Sequence, residues 1–474
     1  MNYHVAEATA PTKSIRCILE LVEQNSQKWT ESTSVTTRKQ LGQVFTPLAM
    51  SLQLSSLLPR TAFNQMYDGI NHIIDPGAGT GILSTTLVSR FMEENPQQLK
   101  VTGFEIDKRL KNDWLSAWEF INEQSTVHVD ATLLESFTEH ADHLLSYGYL
   151  PGTTKPQYCT VNPPYIKLGK NSDLSQTLSK HGIPVPNMYA AFIALCATWL
   201  EDDGHMLCVI PRSFSSGDYF KHFRKWLGNQ MSVEHVVLYR SRTNFKNVLQ
   251  ETILLYMRKS TTQSTRVRIT VADTPMSKPE YDLVLPSEKF IGAEGWWLPR
   301  SASDIEMILV NKNRPYTLQS LGITMSTGKV ELHRISGNTE VPVIYSKDFD
   351  SFGNWTWNEE RKPRHVLVEN RQILKLPQSG GYVLLKRISS NDSPNGKRLF
   401  PAFLSRQTVG MKYVGIENHV QYFHRDGQPL SNSECIKLIA FLNSDEANAV
   451  ISSTGGTTQI NCADISKLRL EELK

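Results

Sequence analysis

The segment Asn162-Pro163-Pro164-Tyr165 combines hydrogen-bond acceptors with an aromatic ring. A proline fixes the backbone and has no N–H, so two in succession remove two donors from the loop. The Asn162 side-chain oxygen and the Pro163 carbonyl remain as acceptors, and Tyr165 adds an aromatic face. A loop of this type can accept hydrogen bonds from a ligand. The alternative interpretation is a proline-stiffened turn that carries an ordinary surface tyrosine.

A glycine-rich turn follows the first predicted strand and opens a helix, in the segment Asp75-Pro-Gly77-Ala-Gly79-Thr-Gly81. Glycine lets the backbone turn tightly and approach a ligand closely. The spacing G-x-G-x-G differs from the dinucleotide pattern G-x-G-x-x-G, and the Lys-Ser/Thr of a phosphate loop does not follow. The turn therefore favours a ligand without a pyrophosphate, although many α/β proteins use such a turn for packing alone.

Three acidic residues are predicted at the carboxyl ends of consecutive strands, namely Asp75, Glu105 and Asp130. Open α/β sheets bind ligands at that edge. Glu105 could accept hydrogen bonds from both hydroxyls of a ribose, and Asp130 could accept one from the amine of an adenine ring. Each residue alone would more often be a turn or helix-cap residue. Together with the glycines they favour an adenosine-containing cofactor.

The elements that would position these residues alternate between short apolar runs and helical patterns. This alternation predicts a parallel sheet covered by helices on both faces. Two later runs have no helix of normal length between them, which predicts an antiparallel hairpin at one sheet edge. A further helix is predicted at 13–28. The predicted strands are 71–75, 101–106, 126–130, 158–162, 205–210, 234–240 and 251–259; the helices between them are 81–95, 108–122, 131–146 and 187–201.

Composition limits the class of protein. The 474 residues are 40% hydrophobic and 20% charged, which is typical of a globular protein with two to four domains. No apolar run reaches the roughly 20 residues of a membrane span, and the first residues do not resemble a signal peptide. The six cysteines form no CxxC pair, so we expect no metal site and a reducing compartment.

Positive charge is concentrated in the C-terminal half. Residues 361–425 contain 12 Lys and Arg against 3 Asp and Glu, which suggests a polyanion partner. Within this block, the segment 386–398 is predicted to contact the partner through Lys386, Arg387, Lys397 and Arg398. The alternatives are chance clustering on a solvated face and a mobile basic surface loop.

The motifs DPGAGTG, FEID and NPPY, with GQVFTP upstream, resemble those of the gamma-class N6-adenine DNA methyltransferases, the TaqI-like enzymes of restriction–modification systems. The resemblance covers about residues 40–260. It extends more loosely over the C-terminal part, where ENH (417–419) and GGTTQIN (455–461) look like pieces of a target-recognition domain.

The resemblance implies a fold and a domain plan. It implies a Rossmann-like class I methyltransferase domain at 41–260, with a mostly parallel sheet and an antiparallel edge hairpin. An N-terminal helical extension occupies 1–40, and a linker is expected at 261–295. A loop-rich α+β target-recognition domain would follow at 296–474.

The resemblance also assigns roles to residues. Asn162 and Pro163 would bind the target amine through their oxygens, within the rigid loop that Pro164 completes. Tyr165 and Phe245 would stack on the flipped base, while Phe245 could also be a plain hydrophobe. The cofactor, S-adenosylmethionine, would be bound by the glycine turn and the acidic residues, with Thr46 and Pro47 at its methionine end and Ile106 and Phe192 on its adenine. Phe192 would serve equally well as a core residue. The full predicted cofactor set is Thr46, Pro47, Asp75, Gly77, Gly79, Gly81, Glu105, Ile106, Asp130 and Phe192.

The function implied is site-specific methylation of adenine N6 in double-stranded DNA by base flipping. We expect a modification enzyme in the cytoplasm of a bacterial or archaeal cell, with a separate restriction endonuclease as a possible partner and no metal. Two alternatives remain open at this point. One is an RNA or cytosine-N4 methyltransferase, and the other is a non-catalytic DNA-binding subunit with the same fold.

Overall fold

The apolar runs of the N-terminal half form the strands of one sheet. The computed structural model describes residues 13–63, 70–94, 98–125, 127–240, 251–335, 337–356, 363–389 and 396–472. The chain divides into two compact units. The first comprises Met1–Phe214 and Asp218–Trp296, and the second comprises Ser215–Gly217 and Trp297–Lys474.

The first unit contains the described helices and strands up to residue 290. Its helices are α1 Lys13–Ser32, α2 Val35–Leu41, α3 Leu48–Ser56, α4 Arg60–Phe63, α5 Ile82–Glu94, α6 Lys111–Gln124, α7 Ala141–Tyr147, α8 Asp173–Lys180, α9 Met188–Trp199, α10 Lys221–Gly228 and α11 Ser287–Phe290. Its strands are β1 Asn71–Pro76, β2 Leu99–Phe104, β3 Val129–Leu134, β4 Tyr158–Val161, β5 His205–Pro211, β6 Met231–Tyr239, β7 Thr252–Lys259, β8 Arg266–Ala272 and β9 Tyr281–Pro286.

Over the described residues these strands form one sheet in the order β3-β2-β1-β4-β5-β7-β6-β8-β9. Strands β1 to β5 are parallel to one another, and β7 is antiparallel to both β5 and β6. The strand order reverses between β1 and β4, and a ligand crevice is expected at such a point.

The sheet continues past the predicted hairpin, which differs from the sequence-based expectation. The range 261–295 was expected to be a linker, but it contains β8 and β9. Strand β8 is parallel to β6, and β9 is antiparallel to β8. The β6–β7 hairpin therefore lies inside the sheet, and β9 forms its edge.

The core of the first unit lies on both sides of the parallel strands. All six residues of β1 are buried, as expected for a strand with helices on both faces. Helix α9 is apolar on nearly every side and is almost entirely buried. Helix α1 adds Ile18 and Val22 to the same apolar cluster, so it packs as part of this unit.

The second unit consists of short strands and short helices. Its helices are α12 Ala302–Asn313, α13 Arg406–Val409, α14 Asn432–Leu442, α15 Asp445–Thr454 and α16 Cys462–Ile465. Its strands are β10 Tyr316–Thr317, β11 Thr324–Thr327, β12 Thr339–Ile344, β13 His365–Val368, β14 Ile373–Lys375, β15 Tyr382–Lys386, β16 Pro401–Leu404, β17 Tyr413–Ile416, β18 Val420–His424 and β19 Arg469–Leu470.

These strands form two four-stranded sheets, ordered β11-β18-β15-β16 and β13-β12-β17-β14, and the pair β10-β19. Helices α14 and α15 cover an apolar cluster that includes Val383, Phe423 and Leu438. Short 3₁₀ turns occur in both units, at Lys108–Leu110, Thr138–His140, Arg212–Ser215, Asp218–Phe220, Leu332–Arg334 and Asn370–Gln372. Among the described helices, none combines the length and apolar character that crossing a membrane requires.

Candidate active site

A cleft opens at the carboxyl ends of β1, β2 and β4, beside the point where the strand order reverses. Its empty space is about 580 Å³, including its open mouth. The lining residues are Leu41, Gly42, Gln43, Val44, Phe45, Gly77, Gly79, Phe104, Glu105, Ile106, Glu135, Phe137, Asn162, Pro164 and Phe192.

The glycine turn forms one wall of the cleft. Gly77, Gly79 and Gly81 have φ values of +80°, +57° and +88°, a region that side chains disfavour. The N–H groups of Gly77 and Ala78 both donate to the Phe104 carbonyl, at 2.8 and 2.9 Å. These bonds fix the turn against the end of β2, and the absence of side chains keeps the cleft open.

Glu105 binds the glycine turn through its carboxylate. One oxygen accepts from the Gly79 N–H and the other from the Asp107 N–H, both at 2.8 Å. Loss of hydration raises the pKa of Glu105, and these hydrogen bonds oppose the shift. A carboxylate oxygen can accept more than one hydrogen bond, so both oxygens keep capacity for a ligand.

Asp75 is fully buried beneath the turn. One carboxyl oxygen accepts from the Ser84 N–H at 3.3 Å, while Oδ1 has no hydrogen-bond partner among the described residues. Loss of hydration raises the pKa of Asp75 to about 7, with a smaller contribution from the Glu105 charge. A buried acceptor without a donor costs free energy, and such groups concentrate at functional sites.

The Asn162 amide is held from the segment between α2 and α3. Its Nδ2 donates to the Val44 carbonyl at 3.0 Å and to the Thr46 hydroxyl at 2.9 Å. Its Oδ1 is buried and accepts from no group in the part of the chain that the structure describes. The amide oxygen is therefore the free end of this side chain, on a residue that lines the cleft.

Tyr165 is anchored at its hydroxyl. The hydroxyl donates to the Val209 carbonyl in β5 at 2.9 Å. Burial raises the pKa of Tyr165 well above its usual range, so the hydroxyl stays protonated. The ring meets the Tyr189 ring edge to face, with centroids 6.1 Å apart. The hydroxyl and the ring of Tyr165 are thus both held by contacts within the protein. Pro163, two residues earlier in the same loop, is buried.

The remaining predicted cofactor residues fall into two groups. Ile106 and Phe192 line the cleft, Ile106 half-exposed and Phe192 nearly buried. Thr46 is buried and bonded to Asn162, and Pro47 precedes the first turn of α3. Phe245, predicted to stack on a base, lies outside the described residues.

The prediction for Asp130 is wrong in its premise, because β3 does not end at that residue. Asp130 is the second residue of β3 and pairs with Lys100, whereas Leu134 pairs with Phe104 beside the cleft. Asp130 is exposed and lies toward the opposite end of the sheet. The carboxylate that follows β3 is Glu135, which lines the cleft.

Glu135 was missed in the sequence, because the third strand was predicted at 126–130, whereas β3 spans Val129–Leu134. Glu135 forms an exposed ion pair with Lys108 at 2.9 Å. An exposed pair of this kind contributes little stability, so Glu135 remains accessible to a ligand.

Two of the four predicted polyanion contacts are used inside the second unit. Arg398 is 1% exposed; its guanidinium donates to the Ser389 hydroxyl at 2.9 Å and to the Thr457 carbonyl at 2.8 Å. Lys397 donates to the Asn443 carbonyl at 2.8 Å and lies 3.5 Å from the Asp445 carboxylate. The prediction of a surface contact is therefore wrong for Arg398.

The other two predicted contacts, Lys386 and Arg387, are half-buried. The Lys386 ammonium lies 5.2 Å from the centroid of the Phe349 ring. Burial lowers the pKa of Lys386, and the Asp350 charge opposes this. The Arg387 guanidinium donates to the Asn418 carbonyl at 3.2 Å and to the Gln459 side chain at 3.5 Å.

Arg387 brings together two motifs that are separate in the sequence. Asn418 and His419 belong to ENH, and Gln459 belongs to GGTTQIN. We call Arg387, Asn418, His419 and Gln459 the polar surface. The buried Glu417 carboxylate accepts from the His419 backbone N–H at 3.2 Å and lies 2.8 Å from the imidazole Nδ1, which holds the half-exposed ring in place.

The chain is similar to known proteins of restriction–modification systems. The Eco57I restriction-modification methylase model matches residues 83–245. The chain is 29% identical to the Type II methyltransferase M.BsuBI of Bacillus subtilis, over 95% of this chain and 91% of that protein. It is 28% identical to the Type II methyltransferase M.PstI of Providencia stuartii, over 92% and 87% of the two chains.

A solved structure extends the fold similarity over nearly the whole chain. The Type IIL restriction–modification enzyme MmeI, in complex with DNA, superposes with a TM-score of 0.51 at 11% identity, covering 96% of this chain and 67% of its own. The sequence similarity to restriction–modification methyltransferases supports the motif resemblance. The prediction of a class I methyltransferase fold is confirmed.

Proposed function

We propose that this chain transfers a methyl group from S-adenosylmethionine to adenine N6 in duplex DNA, and that it is the modification enzyme of a restriction–modification system. The observation that carries this proposal is the hydrogen bonding of the Asn162 side chain. Both of its N–H groups are bonded to protein acceptors, and its buried oxygen is left for a donor that the protein does not supply. An exocyclic amine is such a donor.

The cleft fits the cofactor. The glycine turn leaves room for close approach, and Asp75 Oδ1 is a buried acceptor without a donor in the described chain. Glu105 would bind the ribose hydroxyls, Ile106 and Phe192 would flank the adenine ring, and Pro47 would lie at the methionine end. Glu135 takes over the adenine-amine role from Asp130. The bound cofactor supplies an electrophilic methyl group on a sulfonium.

The acceptors of the NPPY loop address the weakness of the target nucleophile. The lone pair of an adenine amine is delocalised into the ring. Asn162 Oδ1 and the Pro163 carbonyl would each accept one N–H of that amine, which favours a pyramidal nitrogen with a localised lone pair. The loop thus orients the target amine for the transfer. Holding the reacting groups in the correct geometry can supply a large part of a rate enhancement.

A base in a duplex must leave the stack before its amine can reach this loop. The fixed ring of Tyr165 offers a stacking partner, and its anchored hydroxyl means that little side-chain entropy is lost when a base arrives. Phe245 remains a predicted second stacking residue.

The second unit would bind the duplex. Asn and Gln side chains pair with adenine edges and Arg pairs with guanine, so the polar surface has suitable chemistry for reading bases. Lys386 would contact phosphates. This replaces the four-residue contact set expected from the sequence, in which Arg398 is structural.

The test is detection of modified bases in DNA from cells that express the protein. The proposal expects N6-methyladenine at one short sequence motif, and none in cells that express Asn162→Ala. The two acceptors recognise an amine rather than a particular base, so N4-methylcytosine would move the assignment to cytosine. An unmodified genome, with methylated RNA or with no product, would overturn the proposal.

A further inference from the structure

We infer that Thr46 is a positioning residue for the Asn162 amide, and that with the Val44 carbonyl it aims the amide oxygen at the target amine. The resemblance assigns Thr46 to the cofactor instead. The inference rests on the proposed function. It predicts that Thr46 affects the rate of methyl transfer and does not affect the affinity for the cofactor.

The two acceptors around Nδ2 have different consequences for the amide. An amide can be turned by 180° about its last torsion, which exchanges its oxygen and nitrogen. A carbonyl is an acceptor only, so the exchanged amide would place its oxygen against the Val44 carbonyl oxygen without a hydrogen bond. Val44 therefore decides which end of the amide faces the cleft.

Thr46 fixes the remaining freedom. A single hydrogen bond to Val44 would let the amide plane swing about that contact. The second bond, from Nδ2 to the Thr46 hydroxyl at 2.9 Å, holds the plane at a second point. Thr46 is itself only 4% exposed, so water does not readily replace its hydroxyl. An acceptor that must meet a transient amine gains from being held in advance.

The segment that carries these acceptors is held on both sides. Gly42 caps the end of α2 with φ +64°, and Pro47 begins α3. A Cβ on Gly42 would lie 2.8 Å from Pro164 Cβ, so the segment packs directly against the catalytic loop. Phe45 packs against the glycine turn, where a Cβ on Gly79 would lie 3.4 Å from its ring.

Thr46→Val and Thr46→Ser form a matched pair for the test. Valine keeps the shape and removes the acceptor, whereas serine keeps the hydroxyl. DNA that carries the motif found by modified-base sequencing is the substrate. The measurements are the single-turnover rate constant at saturating DNA and S-adenosylmethionine, the S-adenosylmethionine affinity by calorimetry, and the melting temperature.

We expect Thr46→Val to lower the transfer rate constant about tenfold, the effect of losing one buried hydrogen bond. Its cofactor dissociation constant should stay within about twofold of the wild type, and Thr46→Ser should recover most of the rate. The inference is overturned if Thr46→Val instead weakens cofactor affinity and keeps the rate at saturation, since Thr46 would then be a cofactor residue. Equal loss in both variants would also overturn it.

A second readout does not depend on DNA. The side-chain amide resonances of Asn162 can be assigned from their disappearance in Asn162→Ala. In the wild type both amide protons should exchange slowly with solvent, and in Thr46→Val one of them should exchange faster. Fast exchange of both in the wild type contradicts the inference, whatever polymer is methylated. If the Asn162 amide protons exchange slowly but the protein methylates no DNA, the amide is held as inferred. Only the proposed function is then rejected.

Discussion

The cleft of the first unit and the segment 386–398 of the second unit differ in how they use polar groups. Asn162, which lines the cleft, and Asp75, which is buried beneath the glycine turn, each keep a buried oxygen without a donor in the described chain. In the basic segment, Arg398 and Lys397 donate to hydroxyl and carbonyl groups of their own unit. Both regions were predicted to be functional, the cleft from short motifs at strand ends and the basic segment from an excess of positive charge.

The difference shows at which positions in a fold the type of a polar residue is informative about function. At a strand end, the backbone pairs within the sheet, so a side chain there can be left for a ligand. In a loop-rich region, many turns and helix ends leave backbone carbonyls that need donors, and a nearby Arg or Lys can satisfy them. A count of positive charge cannot separate these internal donors from those that meet a polyanion.

The largest effect expected from this difference is on the free energy of unfolding. Arg398→Met should lower the free energy of unfolding by about 2–4 kcal/mol, because it leaves the Ser389 hydroxyl and the Thr457 carbonyl without a donor. Urea denaturation measures the loss. Arg387→Met is the control: it also removes two hydrogen bonds, but from a half-buried residue where water can replace them, so it should cost less than about 1 kcal/mol. If Arg398→Met kept full stability and lost only DNA affinity, the original surface assignment would be correct.

The next prediction compares two carboxylates at opposite ends of the sheet. Glu105→Gln should weaken S-adenosylmethionine binding about 10- to 100-fold, the range for a charge-assisted hydrogen bond. Asp130→Asn should change the affinity by less than about twofold, because Asp130 is exposed and far along β3 from the cleft. Calorimetry measures both. If Asp130→Asn weakened S-adenosylmethionine binding and Glu105→Gln did not, the cofactor would bind at the other end of the sheet.

A smaller effect is expected at the polar surface. Gln459→Ala should weaken binding to the cognate DNA about tenfold and leave binding to unrelated DNA almost unchanged, because base contacts and not phosphate contacts are lost. Fluorescence anisotropy with both duplexes at fixed salt tests this. Asp445→Asn, at the exposed partner of Lys397, is the matched control and should leave both affinities at the wild-type value. Equal loss on both duplexes would argue for a general electrostatic role.

A further effect, which depends on pH, concerns the Asp75 carboxyl buried beneath the glycine turn. The pKa of Asp75 is raised to about 7 in the folded state, from an ordinary value of 3.8. Its contribution to stability is fully present below the ordinary value and is lost as pH rises through 7. The asparagine in Asp75→Asn does not titrate, so the melting temperature of the variant should rise relative to that of the wild type from pH 5 to pH 8, by about 1–2 °C per kcal/mol.

The comparison with the variant is needed because other buried groups act in the opposite direction. Burial lowers the pKa of His72 and His205 to about 4, and that of His235 to about 3. Stability from these histidines is lost as pH falls, in both proteins alike. A melting-temperature difference that does not vary with pH would show that the Asp75 carboxyl titrates normally.

The parts of the fold that the sequence predicted and missed differ in their place in the sheet. Interior strands such as β1 and β5 are buried throughout, and the apolar runs within them were found directly. β3 is an edge strand with exposed positions, so its Asp130 resembled a strand end. β8 and β9 carry Arg268 and Asp282, whose ion pair on the sheet gave the range the polar character of a linker. Edge strands tolerate charge, and composition then hides them.

The site shows a similar division. The residue types of the NPPY loop and the glycine turn predicted the cleft, because each motif is local in the sequence. The bond between Asn162 and Thr46 joins residues 116 positions apart, and no spacing rule could reveal it. The same holds for Arg387 and Gln459, which are 72 positions apart.

Gly42 offers an engineering handle that leaves every reacting group in place. The smallest possible side chain at this position would crowd Pro164 from 2.8 Å, in a backbone conformation that already disfavours one. Alanine there would push on the loop that presents the acceptors and leave the second unit untouched. A variant that still finds its sequence on DNA and leaves it unmarked could thus be obtained from outside the motif itself.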